Sequence, residues 1–334
     1  MRAIILGGAG FIGAHLTGRL LRAGWQVCAA DLPSALDELG HSPRHSHAFR
    51  RRLLERAHLS AVDIRDQNQV RSLFAAFAPD VVFCLTGPAT VTSAQSNIVE
   101  ASESMIRGVA NVLEVVRGKG TTKRFVFASS SMVYGNFAQD PVAENCSTNP
   151  LSIYGGFKLA AESLVRAYLY STSVDAVIVR PSAVYGPGDS HRRIVPNICR
   201  AALSGESIIV KDPVRTVADF SAVEDVVEGL ELAGSLPAAA GEIFNISRGR
   251  GRTLMELVQI ARGLAPDINV IFQPADDPTR PKRGALDVSK ARERLGFNPK
   301  VDLETGLARC LASMKASADV PQPEFNTKAH ATVA

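Results

Sequence analysis

Tyr154 and Lys158 stand four residues apart, which on a helix puts a phenol and an ammonium on one face. A phenol is a poor base near neutral pH. A neighbouring cation favours its phenolate and makes it able to take a proton from a carbinol. Three hydroxyls, Ser129-Ser130-Ser131, follow the apolar stretch Arg124–Ala128 and offer a hydrogen bond to the same carbinol oxygen. On spacing alone any of the three serines could serve. The chemistry that suits this set is oxidation of a carbinol, with the proton taken by Tyr154 and the hydride by a redox cofactor whose ribose Lys158 could hold.

A cofactor of that kind has a candidate seat at the start of the chain. Gly7-Gly8-Ala9-Gly10-Phe11-Ile12-Gly13 follows the apolar run Ala3–Leu6 and leads into a helical pattern to Ala23. Gly7 permits a tight turn, Gly10 lets the backbone approach a pyrophosphate, and Gly13 allows close packing of helix on strand. The helix then presents free N–H groups to the anion. The strand–loop–helix context is what gives the glycine spacing its weight. Asp31 ends the second strand, 21 positions after Gly10. A carboxylate there accepts ribose hydroxyls and repels a 2′-phosphate, so NAD is expected over NADP. Arg50, Arg51 and Arg52 argue the other way, since one of them could fold back onto a phosphate. Asp63 and Ile64 close the third strand; either could border the adenine, and Asp63 could equally be a strand-end cap.

Positioning these groups requires strands and helices in alternation. Apolar runs at Ala3–Leu6, Gln26–Ala30, Leu59–Val62, Val81–Leu85, Arg124–Ala128 and Ala176–Val179 read as strands. Helical spacing occupies Gly13–Ala23, Gln67–Phe77, Ser102–Arg117 and Tyr154–Tyr170. The pattern predicts an α/β fold with a doubly wound parallel sheet (Rossmann), covered by helices on both faces. After Arg180 the texture changes to Pro- and Gly-punctuated loops, with helices near Val195–Leu203, Thr253–Gly263 and Ser289–Leu295. The expected organisation is a nucleotide-binding domain over 1–180, rejoined by 216–246. A smaller α/β substrate lobe takes 181–215 and 247–316, and a flexible tail 317–334. Within this scheme Phe220–Leu232 and Glu242–Ile246 look apolar enough to return to the main sheet. Pro33–His58, rich in Arg and His, reads as a solvated loop and helix.

Bulk properties exclude several classes. The 334 residues are 46% hydrophobic and 21% charged, which suits a large folded core. A net charge of +4 without a concentrated basic stripe gives no reason to expect nucleic acid. Five dispersed cysteines form no CxxC pair, so neither a metal site nor a disulfide framework is expected. The apolar start is cut by Gly7 and is too short for a secretion signal. No apolar run approaches the roughly 20 residues of a membrane span. The expected setting is the cytoplasm.

Five motifs together resemble the extended short-chain dehydrogenases, the NAD-dependent epimerase/dehydratase (UDP-glucose 4-epimerase-like) group. They are the glycine loop, Ser129-Ser130-Ser131-Met132-Val133-Tyr134-Gly135, Tyr154 to Lys158, Arg180-Pro181-Ser182-Ala183-Val184-Tyr185-Gly186-Pro187-Gly188, and Asp287-Val288-Ser289-Lys290-Ala291. The resemblance covers roughly Met1 to Leu311. It implies that Ser130, four residues before the tyrosine of the Val-Tyr-Gly motif, is the catalytic hydroxyl, with Tyr154 and Lys158. It also implies cofactor contacts at Phe11, Ile12, Leu85, Lys158 and Pro181, and a homodimer paired through Ser102–Arg117 and Tyr154–Tyr170. Val109, Val112, Leu113, Val116, Leu159, Leu164 and Val165 are the candidates for that seam.

Within the resemblance, dehydrating members carry an Asp-Glu pair after the catalytic hydroxyl; here Ser131 and Met132 stand there, which argues against elimination of water. Members that bind nucleotide diphosphates often carry Asn at the position of Ala183 and Arg at that of Ala218. Met105 and Phe157 also depart from the usual residues. Charge in the substrate lobe falls instead to His191, Arg192, Arg193, Arg215, Arg280 and Arg283. Arginine suits bidentate capture of carboxylate or phosphate. The expected substrate is therefore a small anionic sugar or nucleotide sugar held by Ser131, Arg192, Arg193, Arg215 and Arg283. Epimerisation by hydride abstraction and return is the first reading. A dehydrogenase releasing NADH and a non-catalytic NAD sensor are the alternatives.

Overall fold

The computed structural model describes residues 1–118, 120–170, 172–275 and 281–316. The tail expected to be flexible and Arg280 lie outside them. The first part of the chain runs β1 (Arg2–Leu6), α1 (Phe11–Arg22), β2 (Gln26–Asp31), α2 (Pro33–His41), α3 (His45–Leu54), β3 (His58–Ala61), α4 (Gln67–Phe77), β4 (Val81–Cys84), α5 (Val91–Ser96), α6 (Ile98–Ser102), α7 (Gly108–Arg117), β5 (Arg124–Ala128), α8 (Ile153–Tyr170) and β6 (Asp175–Pro181). The second runs β7 (Val184–Tyr185), α9 (Ile194–Ser204), β8 (Ile208–Lys211), β9 (Val217–Ala218), β10 (Ser221–Ala222), α10 (Val223–Ser235), β11 (Ile243–Ile246), β12 (Arg252–Thr253), α11 (Leu254–Leu264), β13 (Val270–Gln273), α12 (Ser289–Leu295) and α13 (Leu303–Lys315).

Seven strands form one parallel sheet in the order β11-β6-β5-β4-β1-β2-β3. The order reverses between β1 and β4, and in open α/β sheets ligands bind at that switch, outside the strand carboxyl ends. Side chains of β1 alternate. Ala3 and Ile5 join the core under α1 and α10, whereas Ile4 and Leu6 join the core under α4, α7 and α8. Both faces are thus apolar and both are covered, as a parallel sheet requires.

A third cluster, built from α9, α11 and α13 with Tyr185 and Phe220, gives the second lobe its own core. That lobe holds three two-stranded sheets, β10–β7, β12–β9 and β13–β8. The segment that rejoins the main sheet is shorter than 216–246. β9 and β10 pair with β12 and β7, and only α10 and β11 return. Most of the apolar stretch Phe220–Leu232 is helix, because its burial has a helical period: Val223, Val226, Val227 and Leu230 face the sheet.

Two further expectations are corrected. The helix read over Ser102–Arg117 is not uniform; its backbone widens to π geometry over Glu103–Arg107 before α7. Pro33–His58 is not a solvated loop and helix but two helices, with Leu39, His47, Arg50 and Leu54 buried. Long cationic side chains lie along apolar surface here, which composition alone does not reveal.

Candidate active site

Ser152 caps α8, its Oγ accepting from the Gly155 N–H at 3.1 Å, so Tyr154 lies in the first helical turn. Gly155 abuts the carbonyl of Met132; a Cβ there would stand 2.7 Å from that oxygen. The start of α8 is thereby held against the short 3-10 turn Ser131–Tyr134 that follows β5. Ser130 caps that turn, its Oγ accepting from the Met132 N–H at 3.2 Å.

One turn further along α8, Lys158 is buried. Its Nζ donates to the carbonyl of Ala128 at 2.8 Å and to that of Thr86 at 3.5 Å, so it bridges the ends of β5 and β4. The same nitrogen lies 5.9 Å from the centre of the Tyr154 ring. An ammonium has three N–H bonds, and two are used on these carbonyls.

Glu162, one turn beyond Lys158, went unremarked in the sequence. Its oxygens receive Arg180 Nε at 2.9 Å and Nη2 at 2.6 Å, and Oε1 also receives Ser129 Oγ at 2.5 Å. Both members of the pair are buried. Arg180 also donates to Tyr134 Oη, which in turn donates to Asn245. Ser129 is thus tied behind the site, and Ser130 is left at its edge. The i, i+4, i+8 spacing of Tyr154, Lys158 and Glu162 was the available signal.

The cofactor loop has the geometry that a pyrophosphate needs. Gly7 turns at φ +84°, and Gly10 precedes α1 without any side-chain cap, leaving the N–H groups of Phe11, Ile12 and Gly13 at an open helix start. A Cβ at Gly13 would stand 2.1 Å from the Gly7 carbonyl, so the loop closes on itself only with glycine there. Leu85 lies against the other side of the turn, its carbonyl 3.2 Å from where a Gly7 side chain would begin. Pro181 is the last residue of β6. Asp31 accepts from the Ala9 N–H and the Leu32 N–H, both at 2.9 Å. Burial pushes its carboxyl up, against the pull of these N–H groups and of the Arg50 charge.

Asp63 is occupied otherwise. Its carboxylate holds Arg65 through contacts of 2.7 to 3.0 Å, which pull it below the usual carboxylate range. Ile64 is buried, and its carbonyl accepts from Asn111 Nδ2 at 3.0 Å.

The arginines of the second lobe separate into three kinds. Arg283 reaches the site: its Nη2 donates to Ser131 Oγ at 2.5 Å and Ser182 Oγ at 2.9 Å. Arg193 stands 5.8 Å from the Phe11 ring and pairs with the buried Asp189 at 3.2 Å. Burial opposes the charge of Asp189, but His191 and Arg193 outweigh it and hold the carboxyl below its ordinary range. Arg192 and Arg215 are exposed, away from these contacts. The strap that carries Arg283 is fastened by Phe137 N–H to the Lys282 carbonyl, by Ala285 N–H to Asp140, and by Leu286 N–H to Asp219.

The model of the NAD dependent epimerase/dehydratase family matches residues 3–247. The chain belongs to this family. It is an enzyme of the extended short-chain dehydrogenase type, and its cofactor is NAD. UDP-glucose 4-epimerase of Mycolicibacterium smegmatis is 31% identical over 315 residues, covering 92% of this chain and 97% of that protein. UDP-glucuronic acid decarboxylase 2 of Arabidopsis thaliana is 28% identical, covering 99% and 72%. The crystal structure of a Thermotoga maritima UDP-glucose 4-epimerase with UDP-glucose superposes with a TM-score of 0.84 at 26% identity, covering 95% of this chain and 100% of that one. Among the described residues, no helix is long and apolar enough to cross a membrane, and no group of three or more His, Cys, Asp or Glu could hold a metal.

Proposed function

We propose that the protein is a nucleotide-sugar epimerase that inverts a ring carbinol by hydride abstraction and return, in the cytoplasm. The observation that carries this reading is the convergence of Ser130, Tyr154 and Lys158, with Ser131 and Met132 where an acid pair for water elimination would be needed. The relatives named above include epimerases that act on UDP-sugars by name. The glycine loop and Asp31 would hold NAD, which would supply the hydride acceptor and, on reduction, the donor.

The residues of this chain divide the remaining work. Ser130 Oγ holds the carbinol oxygen while Tyr154 takes the hydroxyl proton, and both groups reverse their roles on reduction. Lys158, fixed on two carbonyls, keeps a cation beside the phenol, and its remaining N–H would be free to hold the cofactor ribose. Arg283 supplies the anion contact: a guanidinium on Ser131, the neighbour of Ser130, suits a carboxylate on the sugar itself, which favours a UDP-hexuronate over a UDP-hexose, whose sugar is uncharged. Arg193, beside Phe11, is the second candidate for the substrate's charge.

A homodimer paired through α6, α7 and α8 belongs to the same proposal. Of the residues expected at its seam, Val109, Val112, Leu113, Val116 and Val165 are buried in the chain's own core, and Leu159 and Leu164 are half-buried on α8. Ile98 and Val99, 47% and 73% exposed on α6, support it. Protein that carries NAD through exhaustive dialysis supports the epimerase; one that sheds it and accumulates NADH is a dehydrogenase.

A further inference from the structure

Three arginines in α3 follow the ribose carboxylate in sequence, and the structure separates them. Arg51 Nη1 donates to the carbonyls of Leu39, Gly40 and Ser42, at 2.6, 3.3 and 3.0 Å, and so staples α2 to α3. Arg52 lies 5.7 Å from the Phe49 ring. Arg50 alone of the three reaches the glycine loop: its Nη1 donates to the Ala9 carbonyl at 2.9 Å.

Ala9 is therefore gripped at both ends. Its N–H goes to Asp31 Oδ2 at 2.9 Å and its carbonyl to Arg50. A carboxylate and a guanidinium are thus anchored to one residue of the loop that would seat the ribose. Arg50 is buried to 7% exposure. Its Nε is spent on the Ser46 carbonyl at 3.3 Å, while Nη2 makes no hydrogen bond to a described residue. A buried guanidinium with an amino group to spare is a strong acceptor site for an anion. Asp31 by itself repels a phosphate on the 2′ oxygen; Arg50 puts the opposite charge on the same residue of the loop.

We propose that Arg50 is a second determinant of cofactor choice, a cation beside the ribose carboxylate that accepts the 2′-phosphate of NADP and narrows the preference for NAD that Asp31 alone would impose. The inference rests on the seating of the dinucleotide on the glycine loop. It concerns selection between two cofactors, not the sugar chemistry.

The test reads the nucleotide that each variant takes up as it folds, so no exchange of resident cofactor is needed. Wild type, Arg50→Gln, Asp31→Ser and the double variant are purified from the same expression host, freed of unbound nucleotide and precipitated with acid. The released NAD and NADP are then quantified by chromatography. Arg50→Gln should raise the NAD:NADP ratio about tenfold or more, the value of one charge-assisted contact. Asp31→Ser should shift the ratio toward NADP, and adding Arg50→Gln should reverse most of that shift. An unchanged ratio on loss of Arg50 in both backgrounds overturns the proposal and leaves Arg50 as a staple of the loop. If Arg50→Gln does not fold, Arg50→Met decides. Methionine keeps the apolar stem but carries no charge and no donor, so the NADP share should fall severalfold, and an unchanged share overturns the proposal. Failure of the dinucleotide seat itself would look different, as protein that releases neither nucleotide.

Discussion

Lys158 Nζ donates to the carbonyl of Ala128 at 2.8 Å, two residues before Ser130. Through this bond the helix that carries Tyr154 and the strand that leads to Ser130 hold one another in register, so the phenol and the hydroxyl are set without substrate. Tyr154→Phe should then abolish turnover and leave the NAD content of the purified protein within a few-fold of wild type, because only the proton-transfer group is removed. Measurable turnover in Tyr154→Phe contradicts the assigned base.

Glu162 and Arg180 form a buried pair behind the site. Removing one partner of such a pair strands the other charge and costs about 3–5 kcal/mol. Glu162→Ala should therefore lower the urea midpoint strongly, whereas Glu162→Gln, which keeps an acceptor for Ser129 and Arg180, should lose less. Equal losses in the two variants would show that the lost charge carries the whole effect and that the acceptor kept by glutamine contributes nothing.

Asp219 gives a pH signature to stability. It is wholly buried, one carboxylate oxygen has no partner among the described residues, and burial pushes its carboxyl up to about 6. With its folded value above the unfolded one, the native state holds the proton more tightly. The stabilisation is present at low pH and is lost as pH rises from about 4 through about 6, by a magnitude on the order of 3 kcal/mol. Asp219→Asn should remove this component, so the stability difference between variant and wild type should move in the variant's favour between pH 4 and pH 7. A difference independent of pH contradicts the account.

Arg283→Ala should reduce kcat/KM on the anionic substrate by roughly ten- to a hundredfold, the loss of one charge-assisted contact, with NAD content unchanged. If the substrate is a UDP-hexuronate, a UDP-hexose, with no charge on its sugar, should be affected less. Equal effects on both would place Arg283 in holding Ser131 and Ser182 rather than in reading the sugar.

Val99→Glu should shift the protein toward monomer in light scattering at micromolar concentration, since Val99 is exposed on α6 in the single chain. A wild-type monomer under the same conditions removes the proposed dimer.

Strand-by-strand legibility followed the strength of local signals. The runs of β1, β2, β4, β5 and β6 are apolar on both faces and bounded by helices, so their order and direction could be read from connection rules. The two-residue strands β7, β9, β10 and β12 could not, because nothing so short carries a period. Tyr154, Lys158 and the glycine loop were visible from spacing. Glu162 escaped notice although it continues the same helix face. Arg50 was one of three equivalent candidates in the sequence, and only packing of α3 against the glycine loop distinguishes it. Among the substrate-lobe arginines, Arg283 was favoured from its place before Asp287, and the structure brings it to Ser131. Arg192 and Arg215 lie exposed, outside the contacts that place Arg283 and Arg193.

The most direct test of the central claim is to incubate the dialysed enzyme, without added cofactor, with UDP-glucuronate and with UDP-glucose, and to follow sugar nucleotides by chromatography and NADH by absorbance. The account predicts that at least one substrate converts to an equilibrium mixture of two epimers from either side, with no net accumulation of NADH. Stoichiometric NADH with a keto product, or loss of carbon dioxide from UDP-glucuronate without an epimer, would contradict it.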